Sequence, residues 1–393
     1  MQKPSKLAQI PQIRFAGFTQ PWEIRKLGDC AKFSKGSGYS KNDLCNIGTP
    51  IILYGRLYTK YETIIKKVNT FVRPKDSSVY SKGGEIIIPA SGETANDIAR
   101  ASAVENSGIL LGGDLNIISP DKAINSAFLA LSISNGKPQK ELAKKAQGKS
   151  VVHISNSEIK ELNIPFPQKA EQQKIGELFA NLDNLITIHQ RKVEKLQKIK
   201  KSCLQNLFPQ NNQNTPKIRF KNFSDEWVEK KFGEIFKYER PDRFIVKNDE
   251  YDEKANTPVL TANKAFILGY TNENNTYNNE SIIFDDFTLD CKYVDFPYMV
   301  KSSAIKILTI KNKEENNLKF AFENLNSTKF EVMGHARHYI AFIQNTATFV
   351  PNLAEQCKIS EFFAKLDKLI ALHQSKFKKL QKIKKSCLQN MFV

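Results

Sequence analysis

The chain contains a long segment of itself twice. Residues 171–208, EQQKIGELFANLDNLITIHQRKVEKLQKIKKSCLQNLF, return 184 positions later as residues 355–392, EQCKISEFFAKLDKLIALHQSKFKKLQKIKKSCLQNMF, with 27 of 38 positions identical. Chance would give only a few matches, so the segment is a duplication. A shorter pair opens each half: PQIRFAGFTQPW (Pro11–Trp22) against PKIRFKNFSDEW (Pro216–Trp227), at an offset of 205. Between these anchors Glu23–Phe166 and Val228–Val350 do not align by eye. The order is variable head (1–170), fixed rod (171–208), linker (209–215), variable head (216–354), fixed rod (355–393). The linker is short, polar and without an apolar anchor. Met1–Gln9 occupy the equivalent place before the first head. This layout predicts a circularly repeating, pseudo-twofold molecule whose ends lie close together.

Both rods read as helices. They contain no proline, and Gly176 (Ser360 in the second copy) is their only glycine. Pro167 and Pro351 precede them, where an extended entry is favoured. Counting heptads, the first rod places Ile175, Leu182, His189, Leu196 and Cys203 at one seam position. Leu178, Leu185, Lys192, Ile199 and Asn206 take the other. The second rod gives Ile359, Leu366, His373, Leu380, Cys387 and Phe362, Leu369, Lys376, Ile383, Asn390. Such a repeat makes a coiled-coil seam. A lone 38-residue helix would be about 57 Å long and would need that seam buried, and its own copy is the obvious partner. A twofold relation between heads makes the pair antiparallel. His189/His373 and Lys192/Lys376, near mid-length, would then set register; alternatively the lysines snorkel to water. The Lys-rich faces (Lys195, Lys198, Lys200, Lys201 and Lys379, Lys382, Lys384, Lys385) suit solvent, phosphate or a partner protein.

The heads are mixed in pattern. Strand-like runs are Pro50–Leu53, Glu85–Ile88, Ile109–Leu111 and Leu115–Ile118 in the first, and Pro258–Leu260, Ser281–Phe284 and Ala304–Ile310 in the second. Helical stretches are Lys122–Ser132 and Leu318–Leu325. The predicted fold class is α+β: two globular heads and two long antiparallel coiled-coil helices. Charge divides unevenly. The first head has 24 basic against 14 acidic side chains, the second 19 against 20, within a chain of net +18. A basic balance suggests a polyanionic partner, but the neutral second head would need help with phosphates.

Several chemistries lack their signatures. No apolar run approaches the roughly 18 residues of a membrane span, and Met1–Pro11 has no signal-peptide core. The six scattered cysteines include no Cys-x-x-Cys, which argues against a zinc cluster or disulfide framework and fits reduced thiols in a cytoplasm. No GxxxxGK[ST] is present, so ATP-driven motion is not expected of this chain. Asp295-Phe-Pro-Tyr298 is the nearest approach to the Asp/Asn-Pro-Pro-aromatic motif of an adenine methyltransferase, but it lacks the first proline and any FxGxG. Asp242 with Asp252-Glu-Lys254 only weakly resembles a nuclease's magnesium carboxylates.

The ordering of these segments resembles a DNA-specificity subunit of a type I restriction–modification enzyme. The matching segments are IPFPQKAEQQKIGELFANLDNLI and its shortened copy FVPNLAEQCKISEFFAKLDKLI, with the head openings RFAGFTQPWEIRKLGD and RFKNFSDEWVEKKFGE. Inside the heads, IIIPASGETANDIARAS and IIFDDFTLDCKYVDFPYMVKSSAIKIL resemble target-recognition domains. FVPN in place of PFPQ suggests a looser second head-to-rod junction. The resemblance implies a non-catalytic subunit that reads a split, asymmetric DNA target, one half-site per head, with the spacer set by the helices. It implies two modification (methyltransferase) subunits and restriction/translocase subunits as partners, which would carry S-adenosylmethionine, ATP and Mg²⁺. Two heads on one duplex address grooves about one helical turn apart, roughly 34–36 Å. Arg suits guanine and Asn adenine by bidentate geometry. On that basis the candidate DNA contacts are Arg56, Lys60, Thr94, Asn96 and Lys149 in the first head. In the second they are Arg240, Arg243, Asn263, Lys264, His335, Arg337 and His338. The other readings are a duplicated coiled-coil scaffold that reads no DNA, and an intrinsic nuclease.

Overall fold

A computed structural model describes residues 10–148, 151–210, 213–248, 250–263, 265–330 and 338–393. The chain forms two compact units, Met1–Gln190 with Ser375–Val393, and Arg191–Gln374. Each contains one head, the start of the long helix that follows it in sequence, and the end of the other long helix.

The heads share a plan that their sequences hide. In the first, Ala31–Lys35, Leu115–Pro120, Ile86–Pro89 and Ser102–Val104 lie side by side, all antiparallel, with Ile64–Ile65 added at the edge. In the second, Phe236–Glu239, Ile305–Ile310, Ser281–Asp285 and Cys291–Val294 take the same order and sense. A second sheet in each head pairs a Thr-Pro strand in parallel with a later one. These are Thr49–Ile52 with Ser107–Leu111, and Thr257–Leu260 with Met299–Val300.

The central strands are runs of consecutive apolar residues because both faces are covered. Ile86 and Ile88 face a core shared with the helix Ser126–Ile133, while Ile87 faces one shared with Ile52 and Leu111. In the second head Ile282 and Phe284 face the helix side and Ile283 packs with Leu260 and Val300. Each such side chain, fully buried, contributes roughly 1.5–3 kcal/mol. The first head's helix starts at Ser126 rather than Lys122, because Asn125 caps it by accepting from Phe128 N at 2.9 Å. Asn317 caps Leu318–Ser327 in the same way.

The long helices span Lys169–Asn206 and Leu353–Asn390. Within each unit the two helix segments run antiparallel. In the first, Phe179 meets Phe392 and Asp183 pairs with Lys384; in the second, Phe208 meets Phe363 and Lys200 pairs with Asp367 at 2.8 Å. Across the offset of 184, Asp183 corresponds to Asp367 and Lys200 to Lys384, so one ion pair is made twice with the helices exchanged.

The seam differs from the expected one in every second position. Among the buried and half-buried residues of the first helix, Ile175, Phe179, Leu182, Ile186, His189, Val193, Leu196, Lys200 and Cys203 follow one another in steps of four and three, and Leu207 continues the series just past the helix end. Leu185, Ile199, Leu369 and Ile383 are exposed, as are Lys192 and Lys376. Leu178 and Phe362 are half-buried against the head cores, while Leu182, Leu366, His189, His373, Leu196 and Leu380 face inward. The alternation of three- and four-residue steps was entered at the wrong phase: the inward residue after Leu182 is four positions on, Ile186, not three. Lys200 and Lys384, read from the sequence as suited to solvent, phosphate or a partner protein, are half-buried ion-pair partners within the chain.

Candidate DNA-recognition surface

The repeated motifs build one joint, and it recurs in each unit. Arg14 of the opening IRF donates two hydrogen bonds to the fully buried Glu171 at 2.6 and 2.8 Å; Arg219 does the same to Glu355, both at 2.7 Å. The next residue, Gln172, accepts from Asn125 N and donates to the Pro167 carbonyl, both at 2.9 Å. Gln356 makes the same two bonds with Asn317 and Pro351. Ile13 N donates to the Asn390 carbonyl, and Ile218 N to that of Asn206. Aromatic rings complete the joint: Trp22, Phe128, Phe166, Phe179 and Phe392 in one unit, Trp227, Phe208, Phe320 and Phe363 in the other. The second junction is therefore not looser despite FVPN. Val350 pairs with Val228 as Phe166 pairs with Glu23, and Asn352 caps the helix through Glu355 N.

One ion pair has no counterpart. Glu323, buried in the second head, meets Lys200 at 2.9 Å; counted from the capping asparagines, the first head has Leu131 there. Burial raises the Glu323 carboxyl above its ordinary range, and Lys200 only partly offsets this. Burial opposes the charge on Lys200, but Glu323 and Asp367 outweigh it and leave that group raised.

On this fixed frame the connecting loops differ, and one pair of candidate contacts, Lys60 and Asn263, falls at a matching place in the two heads. After the Thr-Pro strand comes YGRLYTKY in the first head and TANK in the second. Lys60 and Asn263 are exposed there, the latter accepting from Ala265 N. Arg56 is not available: its side chain is 9% exposed and its guanidinium donates to Glu62 at 2.5 Å and to the Lys67 carbonyl. After the third sheet strand the first head carries Thr94 and Asn96, both exposed, with Thr94 capping a short helix through Asp97 N. Arg240 and Arg243 are exposed after the first strand of the second head, Arg240 lying 3.6 Å from Asp242. Lys149, Lys264, His335 and Arg337 lie outside the described residues. His338 is corrected: it is buried, with Nδ1 2.6 Å from the Asp286 carbonyl, and presents nothing to a ligand.

Tyr298 of Asp295-Phe-Pro-Tyr298 is a core residue with its hydroxyl 2.7 Å from that of Ser281. Among the described residues no three metal-ligating side chains converge, and no helix is long and apolar enough to cross a membrane. All six cysteines are free thiols. Burial drives the Cys291 thiol up to about 12, so it is no nucleophile at neutral pH.

The chain matches one protein family along both of its halves. The "Type I restriction modification DNA specificity domain" family matches residues 19–198 and 224–384. The chain belongs to this family. It is 39% identical over 160 residues to the specificity subunit of the type I restriction enzyme EcoR124I/EcoR124II of Escherichia coli, a match covering 37% of this chain and 38% of that one. It is 23% identical over 422 aligned positions to a putative type I restriction enzyme MjaX specificity subunit of Methanocaldococcus jannaschii, covering 98% and 94%. Its fold resembles the crystal structure of the type I restriction–modification S subunit from M. genitalium, with a TM-score of 0.70 at 16% identity over 98% and 99% of the two chains. The scaffold reading, without DNA readout, gains no support from these matches.

Each unit of this specificity-family chain also exposes three apolar side chains on its helices. They are Leu185, Ile188 and Ile383 in the first, and Leu369, Leu372 and Ile199 in the second. The sets are equivalent across the repeat.

Proposed function

We propose that this chain is the non-catalytic DNA-reading subunit of a cytoplasmic type I restriction–modification complex. Each head reads one half-site of an asymmetric target, and the helices set the spacer. The observation that carries the reading is the duplicated frame with unlike loops: equivalent joints hold the heads, and the loops on them carry different side chains. Phosphate contacts would position each head and exposed groups such as Asn96, Asn263, Arg240 and Arg243 would discriminate base edges. The equivalent apolar patches support two copies of one partner, a modification subunit on each, with restriction/translocase subunits joining them. S-adenosylmethionine, ATP and Mg²⁺ would be bound by those partners. The balanced charge of the second head favours partner help with phosphates there.

Selection from random duplexes, with the chain assembled on its methyltransferase subunit, tests the reading. A split consensus is expected; no consensus would leave only a scaffold. Replacing residues 1–170 by another specificity subunit's head should change one half-site, and a change in both would contradict independent heads. Cleavage by the isolated chain with Mg²⁺ is not expected.

A further inference from the structure

The loop correspondence is incomplete. The first head presents Thr94 and Asn96 between its third and fourth sheet strands, and the sequence reading named nothing at the matching place in the second head. That place is the turn from Ser281–Asp285 to Cys291–Val294, of sequence Asp-Phe-Thr-Leu-Asp, residues 286–290.

The turn is held by a set of hydrogen bonds. The Asp285 carboxylate accepts from Phe287 N and Thr288 N at 2.9 and 3.0 Å, and Asp285 N donates to the Asp290 carbonyl at 2.9 Å. Leu289 adopts a left-handed φ of 61°, costly for a branched residue, and its side chain packs on the head core. Asp286 is buried. Its carboxylate accepts from Tyr339 N at 2.9 Å and lies 3.3 Å from the buried Lys306 ammonium, while its N–H donates to the Ala304 carbonyl. These contacts tie the turn to the head core, with Asp286 Oδ2 held to Lys306 by charge and not by a hydrogen bond. What it leaves outside is Phe287, 49% exposed, beside Thr288, with Ser302 and Ser303 exposed on the neighbouring loop. Asp285 and Asp286 turn their charges inward, so only Asp290 offers DNA an exposed carboxylate from this turn.

We infer that Phe287, supported by the Thr288 methyl, is a base-specifying residue of the second head that reads a thymine through its 5-methyl group. This rests on the DNA-reading function proposed above. An apolar tip suits a methyl group on the floor of the major groove, and Phe and Thr are among the side chains that contact it. Serine hydroxyls at its side suit the adjacent phosphates. At the same place the first head offers a hydroxyl and an amide, so the two half-sites are read by different chemistry from one position of the frame.

The test uses the full chain assembled with its methyltransferase subunit. Random-duplex selection with F287A should lose preference at one thymine of the second half-site by about five- to tenfold, the low end of what one mismatched pair costs, with the first half-site unchanged. Uracil at that position, which lacks only the methyl, should weaken wild-type binding by the same factor and leave F287A unaffected. An unchanged consensus for F287A overturns the assignment, as does equal binding of thymine and uracil by the wild type. If F287A loses both half-sites, F287L decides: recovery of the first half-site with a weakened thymine preference supports the assignment, and no recovery overturns it. A wild type that selects no sequence instead brings down the DNA-reading function itself.

Discussion

Phe392 closes the second repeat two residues beyond the end of its helix at Asn390, yet its ring packs into the core of the first head. It is 8% exposed, with ring centroids 6.2 Å from Phe128 and 5.9 Å from Phe179. Cutting such a ring to alanine costs about 3–5 kcal/mol in lost transfer energy and cavity. That is a large part of the roughly 5–15 kcal/mol that holds a domain together. At about 1.4 kcal/mol per decade, amides in Ser126–Ile133 and Ile86–Pro89 that exchange by unfolding should exchange two to three orders of magnitude faster in F392A. Amides of Leu318–Ser327 should be unchanged. F208A, removing the equivalent ring among Trp227, Phe320 and Phe363, should reverse the pattern. Hydrogen exchange read by mass spectrometry on the intact chain resolves both. Equal loss of protection in the two heads after either substitution would refute the view that each helix end stabilises one head.

Arg14→Ala leaves the buried Glu171 charge unpaired and should cost about 3–5 kcal/mol in urea unfolding, as should Arg219→Ala with Glu355; a loss below about 1 kcal/mol in both would count against the joint. Burial raises Glu323, so its contribution is present below the ordinary carboxylate range and is lost as pH rises through its folded value. E323L, which copies Leu131 of the first head and leaves Lys200 paired with Asp367, should become relatively more favourable to stability as pH rises above the ordinary carboxylate range, read in denaturant midpoints. A penalty that deepens with pH would reverse that assignment. L185S/I188S should change stability by no more than about 0.5 kcal/mol but release one of two modification subunits on size-exclusion chromatography, and L369S/L372S the other. Retention of both by the quadruple variant would show that the apolar patches are not the docking surfaces.

How far the fold could be read beforehand depended on how local its cause was. All seven strand-like runs became strands, because both-face burial forces consecutive apolar residues such as Ile86, Ile87 and Ile88. The duplication exposed the joint as a pattern, though not its reason. Only coordinates show that Arg14, Glu171 and Asn390, far apart in sequence, hold one another. The seam slipped because Leu185 and Ile199 are as apolar as Ile186 and Val193, so composition could not choose between adjacent phases. Among the candidate contacts, Arg56 and His338 failed because a polar side chain in a loop looks the same whether it faces water or a buried carbonyl. Phe287 was missed for the converse reason. An apolar residue beside a strand looks like core until a turn such as Asp285–Asp290 points it outward.

The repeat makes a quantitative demand on any account of the spacer. Inward residues alternate in steps of three and four, so only a multiple of seven keeps Lys200 against Asp367 and Lys384 against Asp183. Both helices must receive it, since lengthening one alone would pull its end off the ring cluster that holds it. Seven residues at about 1.5 Å each add about 10 Å, which is roughly three base pairs at 3.4 Å. A heptad placed in both helices, after Gln190 and after Gln374, should therefore lengthen the preferred spacer by about three base pairs. The alternative outcome, loss of binding, follows if the added helical phase turns the second half-site away. Either can be read by methylome sequencing of cells expressing the variant with its methyltransferase. A consensus with its original spacing would mean that the helices join the heads without measuring the distance between half-sites.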